Sequence, residues 1–270
     1  MTSTAPRPRG RLVLMPQALD LGSGHEVPLR ALLPDAAIAR AAALRHWVVE
    51  NAKSARAFLK RVNAEVPLAL PLQQIDIREL PRPAKGQPPG RGAGSAAAAA
   101  QAGTPDPHAA LLAPALQGED IGLLSEAGLP AVADPGSELV AQAHAAGIVV
   151  EPWPGPSSLM LALAASGLGG QHFAFVGYLP VEPPARAQRI RELEALSRRL
   201  RQTQIAIETP YRNAALAEAL LAHLQPATRL AVACGLTLPG GWCRTDSIAQ
   251  WRLAPPVFAT GMPAVFSWLA

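Results

Sequence analysis

Apolar and polar positions follow two alternating rhythms along this chain. Short apolar runs at 11–15, His46–Val49, Ile121–Leu124 and 148–150 have the length of buried strands. Segments 35–44, 53–62 and 135–146 between them read as helices, and 68–75 reads as extended. The helix over 135–146 has defined ends: Asp134 suits the N-cap, Pro135 the first helical position and Gly147 the C′ position. This β–α alternation predicts a parallel sheet with helices on its faces.

Three prolines and a glycine in Pro152-Trp-Pro-Gly-Pro156 predict a stiff, extended connection, and the domain boundary is placed there. Two α/β domains are expected, over residues 11–152 and 153–270. In the second, strands are predicted at 173–176, 205–207, 230–233 and 257–259, and helices at 158–165, 186–201 and 214–224. Residues 81–107 break the pattern. They are rich in Pro, Gly and Ala, include five consecutive alanines at 96–100, and hold few large apolar side chains. Such a segment buries too little surface to offset its ordering entropy and is predicted to be a mobile insertion. A tolerated loop expansion is preferred over a substrate-covering lid.

Composition narrows the picture. With 49% hydrophobic residues the chain has ample material for a core. Its longest apolar run, 159–165, falls well short of the ~18 residues that span a bilayer, so no membrane partner is expected. Residues 1–11 are Pro- and Arg-rich and lack the apolar stretch of a signal peptide. Cys234 and Cys243 show neither metal nor redox spacing, and the histidines are scattered. A cytoplasmic protein without a metal site is the expectation. The net charge of +4 permits an RNA partner without requiring one.

The candidate chemistry lies in loops that follow strands. Leu124-Ser-Glu-Ala-Gly-Leu-Pro-Ala-Val-Ala-Asp-Pro-Gly136 leaves a strand through small residues that let a ligand approach the backbone. Donors and acceptors there suit a zwitterionic amino-acid moiety; an ordinary turn is the alternative. Pro154-Gly-Pro-Ser-Ser158 opens a helix at the domain joint, and its hydroxyls suit an adenine or ribose; a hinge with an N-cap serine is the alternative. Gly177-Tyr-Leu-Pro180 and Glu208-Thr-Pro-Tyr-Arg212 also follow strands, at the end where open α/β sheets bind ligands.

In order and spacing these five stretches (Ser125–Gly128, Asp134–Gly136, Pro154–Ser158, Gly177–Pro180 and Glu208–Arg212) resemble the tetrapyrrole-methylase superfamily. Within it they are most similar to the branch that methylates a ribose 2′-hydroxyl of small-subunit ribosomal RNA. The resemblance implies an N-terminal parallel sheet, a C-terminal mixed sheet, S-adenosylmethionine in a cleft between the domains, an RNA substrate and a homodimer. The residues it assigns to the cofactor are Pro16, Ser125, Glu126, Ala127, Gly128, Pro130, Ala133, Asp134, Ser157, Ser158, Gly177, Tyr178, Leu179, Glu208, Thr209, Cys234 and Leu236. The chain departs from that branch at Met15-Pro-Gln-Ala-Leu-Asp20, at Glu50-Asn-Ala-Lys53 and at Ala233-Cys-Gly-Leu-Thr-Leu238, where the charges usual near the C-terminus are missing. A small-molecule methylase, such as one acting on a tetrapyrrole, and a non-catalytic cofactor-binding module are the alternatives.

A methyl donor is already activated, so the protein's main task is alignment, with a base or hydrogen-bond acceptor helping a hydroxyl substrate. Glu50, Lys53, Glu126, Tyr211 and Arg212 are the candidates on the acceptor side. Glu50 with Lys53, and Arg212 with Glu208, also read as plain ion pairs. The helix over 186–201 holds Arg186, Arg189, Arg191, Arg198, Arg199 and Arg201, with Ile190, Leu193, Leu196 and Leu200 as its apolar side. It reads equally as a phosphate-facing surface and as a solvated face.

Overall fold

The computed structural model of the chain describes residues 8–20, 23–81 and 107–270. The expected insertion lies, apart from its two ends, outside the described residues. The chain divides into two compact units, one of residues up to Ala18 with Pro28–Pro156, the other of Leu19–Val27 with Ser157–Ala270.

The first unit holds β1 (Arg11–Leu14), α1 (Asp35–Ala43), β2 (His46–Val49), α2 (Ala52–Glu65), β3 (Asp76–Glu79), α3 (Pro107–Leu111), α4 (Ala113–Leu116), β4 (Ile121–Leu124), α5 (Ser137–Ala145) and β5 (Val149–Pro152). All its strands run parallel, in the order β3-β2-β4-β1-β5. Buried strands alternate their side chains between two cores. Val13, Trp47, Val49 and Leu124 meet Ile38 of α1 and Phe58 and Leu59 of α2. Leu12, Val48, Ile121 and Leu123 meet Ala115 of α4 and Leu139 and Ala143 of α5. The chain therefore leaves β1 toward one face and β4, its neighbour, toward the other. That divergence makes a topological switch point, outside whose carboxyl ends parallel sheets open a crevice.

The second unit holds α6 (Ser158–Ser166), β6 (Phe173–Tyr178), α7 (Pro183–Leu200), β7 (Thr203–Glu208), α8 (Asn213–His223), β8 (Arg229–Cys234), β9 (Trp242–Ser247), α9 (Ile248–Leu253) and β10 (Ala264–Leu269). Its sheet is mixed, ordered β6-β7-β10-β8-β9, with β6 and β7 parallel and β10 antiparallel to both neighbours. Leu159, Ala162 and Leu163 of α6 cover one face over Ile205, Ala233 and Val265. Helices α7, α8 and α9 cover the other through Ile190, Leu193, Leu216, Leu220 and Trp251, against Ala206, Val232, Phe266 and Trp268. The two α/β domains, one parallel and one mixed, are as expected from the sequence. Among the described residues no helix is long and apolar enough to cross a membrane.

Four local expectations are corrected. Residues 68–75 are not a strand: 72–74 form a 3-10 turn, and the edge strand comes after it at Asp76–Glu79. Helix α5 starts at Ser137, not Pro135. Gly136 at φ +131° breaks the chain there, so Asp134 does not cap it. Residues 257–259 form no strand, following Pro255 and Pro256; the closing strands are β9 and β10. Leu200 lies outside the apolar side of α7 and is exposed.

Candidate functional site

In the first unit the predicted residues gather where the strands end. Met15, Pro16 and Gln17 follow β1, Glu50 follows β2, and Ser125–Gly128 follow β4. Gln17 and Gly128 exchange backbone hydrogen bonds, with N···O distances of 2.8 and 3.2 Å, which ties the two loops across the switch point. Gln17 Nε2 also donates to the Ser125 carbonyl at 3.2 Å. Gly128 thus serves the backbone directly: it sits at φ +69°, where a side chain is strained.

The loop from Ser125 to Gly136 is bent by four left-handed residues. Two are the glycines Gly128 and Gly136; the others are Ala131 (φ +64°) and Ala133 (φ +65°). An alanine held there costs roughly 1–2 kcal/mol. Such local strain persists where the surrounding structure over-determines it, and it clusters at ligand sites. Pro16 is buried against Gly155, whose missing side chain leaves room: a Cβ there would lie 2.2 Å from the proline ring.

Three carboxylates share this edge. Glu50 Oε2 accepts from the Glu126 backbone N–H at 3.1 Å. Burial raises the Glu50 pKa; the Glu126 N–H opposes that and the Glu126 charge adds to it. Asp134 is pushed up to about 7, by burial first and then by the charges of Glu50 and Glu126. Lys53 stands apart, exposed in the first turn of α2 with no ion pair to Glu50. That turn is capped by Asn51, whose Oδ1 accepts from Lys53 N and Ser54 N.

In the second unit the expected residues also meet at one sheet edge. The C-terminal ends of the parallel strands β6 and β7, and of β8, which runs the same way, carry Gly177–Leu179, Glu208–Arg212 and Cys234–Leu236. The C-terminus of α6 reaches the opposite edge, where Ser166 O accepts from Thr245 Oγ1 and Gly169 O accepts from Thr203 Oγ1. The helix start, Ser157 and Ser158, is therefore at the same edge as the three loops. Ser157 occupies the N-cap without making the capping hydrogen bond, so its hydroxyl is not committed to the helix.

Glu208 is spoken for. Its side chain is 1% exposed and pairs with Arg212 at 2.6 Å, while Thr209 donates to it from N–H and hydroxyl. The Glu208–Arg212 pair, one of the two sequence readings, is thus formed. Tyr211 beside it is 82% exposed. Cys234 and Leu179 are buried, with the Cys234 thiol pKa raised by burial. Sequence reasoning missed Thr237 in the same loop as Leu236. It holds φ +74° and has a buried hydroxyl with no partner. A threonine gives no sequence signal for either property.

A cavity of about 310 Å³ lies elsewhere, lined by Arg40, Leu44, Arg45, Glu119 and Asp120 among others. These residues precede β2 and β4, so it opens at the amino ends of the strands, away from the loops just described.

Residues 48–244 match the family described as tetrapyrrole (corrin/porphyrin) methylases. The chain belongs to that family. Membership implies that the chain takes S-adenosylmethionine as its methyl donor. Its strand-end loops fit that donor: small and left-handed residues leave the backbone accessible, and three carboxylates suit a ligand carrying an ammonium and a sulfonium.

Curated relatives, each named ribosomal RNA small subunit methyltransferase I, share with this chain 50% identity over 78 residues (Xylella fastidiosa; 29% of each chain) and 41% over 138 residues (Mesorhizobium japonicum; 51% of this chain, 46% of the relative). The match to the Vibrio cholerae relative of that name is 43% over 97 residues, covering 36% of this chain and 32% of the relative. The matched stretches thus span about a third to a half of the relatives' length. Among solved structures, the methyltransferase CobJ aligns with a TM-score of 0.55 at 17% identity, covering 96% of this chain and 93% of CobJ. A conserved hypothetical protein from Aeropyrum pernix K1 aligns equally well, with a TM-score of 0.55 at 17% identity over 97% and 85% of the two chains. At such identities the likeness speaks for the fold.

Proposed function

We propose that this chain transfers the methyl group of S-adenosylmethionine to an acceptor held at the strand ends. The observation that carries this reading is the strained, small-residue loop 125–136 at the switch point of the parallel sheet, with Glu50, Glu126 and Asp134 gathered around it. The donor supplies an activated methyl group. The protein's share is to seat the cationic donor among carboxylates, fix its amino-acid end on the loop backbone and hold the acceptor in line. Ser157, Ser158, Gly177–Leu179 and Cys234–Leu236 are proposed to complete its binding.

Two acceptors are supported. A tetrapyrrole-type small molecule agrees with the family description. The carboxylates of the first unit also repel phosphate. An RNA ribose 2′-hydroxyl agrees with relatives 41–50% identical over the matched stretches, all named for ribosomal RNA, and with exposed arginines on α7. Cytoplasmic location and a homodimer belong to the same proposal. Calorimetry with S-adenosylmethionine, followed by transfer of a labelled methyl group to small ribosomal subunits and to a tetrapyrrole, decides between them. Absence of donor binding would overturn the methyltransferase reading altogether.

A further inference from the structure

We propose that the far edge of the second unit's sheet is a docking surface for the phosphate backbone of RNA. This rests on the RNA reading above. Helix α7 connects the parallel strands β6 and β7, so it runs back against them. Its first turns, with Arg186 and Arg189, lie at the edge that carries the candidate site. Its last turn, with Arg198 and Arg199, and the following Arg201 lie at the other. A six-residue strand separates the two edges by ~20 Å.

Arg198, Arg199 and Arg201 are all exposed and have no ion pair among the described residues. Several arginines elsewhere are paired, Arg11 and Arg40 with Glu151, Arg30 with Asp35 and Glu65, Arg189 with Glu192, Arg212 with Glu208, while Arg45, Arg56 and Arg191 are exposed without an ion pair among the described residues. Glu194, the carboxylate closest in sequence to the three, is 4% exposed and accepts from Gln225 N–H and the Thr228 hydroxyl. It offers the guanidinium groups nothing. Cations in a last helical turn complement the helix dipole, which accounts for some of this charge. It does not account for Arg201, which holds φ +50° at the helix end, where glycine costs least.

One more basic side chain shares the edge: Arg229 opens β8 and is exposed. A small acceptor seated at the strand ends does not reach this surface. A nucleic-acid duplex does: it carries about one charge per 1.7 Å of axis, so ~20 Å presents roughly a dozen phosphates. No aromatic residue interleaves with the arginines of α7, so their contacts hold RNA in place without reading bases.

The test is binding of the intact chain to a labelled mixed-sequence RNA duplex of about 20 base pairs, between about 50 and 200 mM salt. Arg198→Glu/Arg199→Glu/Arg201→Glu is expected to lower affinity at least tenfold. It should also flatten the plot of log affinity against log salt by about 2–3, since each lost phosphate contact removes ~0.9. The milder Gln triple should show the same changes in smaller measure, with donor affinity and melting temperature as in the parent. Parent-like RNA affinity and slope in both triples would overturn the docking surface while leaving the RNA reading standing. A parent that binds no RNA but methylates a tetrapyrrole would overturn the RNA reading and the surface with it. Preference of the surface for anionic vesicles over RNA would overturn it too.

Discussion

Asp134 makes the first unit sensitive to pH. Its pKa stands near 7 in the fold, above the ordinary 3.8, because burial and the charges of Glu50 and Glu126 disfavour ionisation. Its contribution to stability is therefore full below about pH 4 and lost as pH rises through about 7. Asp134→Asn should come closest to the parent near pH 4 and melt at a higher temperature than the parent at pH 8. An unchanged difference between the two pH values would show that Asp134 does not titrate there. A cationic donor seated beside it would lower that pKa. Binding near pH 7 should then release a proton, seen as a dependence of calorimetric heat on buffer ionisation. Glu151 has the opposite character. Burial works to raise its pKa, but hydrogen bonds from Arg11, Trp153 and Arg40 prevail and hold it at about 2. Glu151→Gln should cost roughly 1–3 kcal/mol at neutral pH, a cost that shrinks as acid approaches pH 2. Arg212 needs a separate control. Removing it strands the buried Glu208 carboxylate, so Arg212→Ala should lose ~3 kcal/mol of stability in a denaturant melt. Lost activity in that variant would say little about the acceptor unless the melt is unchanged.

Among the elements, the 125–136 loop combines strain with function. Ala131→Gly and Ala133→Gly should each stabilise the fold by up to about 1 kcal/mol by relieving a left-handed alanine. Each should also weaken donor binding, because the freed loop must be ordered again on binding. Equal or tighter binding would show that the strain serves packing alone. The loop's position was legible in the sequence, since small residues after a short apolar run mark a strand end; its strain was not. The gathering of Glu50 with Asp134 was also hidden, because only the pairing of β2 with β4 brings the ends of those strands together. Buried strands with continuous apolar runs were read to the residue at His46–Val49 and Ile121–Leu124. β9 was missed because Trp242-Cys-Arg-Thr-Asp-Ser247 is half-buried throughout and shows no alternation. The apparent strand at 257–259 has apolar residues but no partner, and Val257 is among the most exposed of them.

For the molecule as a whole, donor binding to the native state alone should raise stability by ~2.7 kcal/mol at a hundred times the dissociation constant. A melt in S-adenosylmethionine that does not move would contradict the proposed function. The division of the chain bears on its synthesis as well. Leu19–Val27 belongs to the second unit although the residues on either side belong to the first, and Val27 packs against the core that includes Phe266 and Trp268. Those two aromatics lie on β10, the central strand of the second sheet. On a ribosome adding ~5–20 residues per second, Val27 emerges on the order of 10–50 s before its packing partners exist. The first unit can assemble in that interval only around a segment still waiting for its place, and the second cannot close its sheet until β10 has been made.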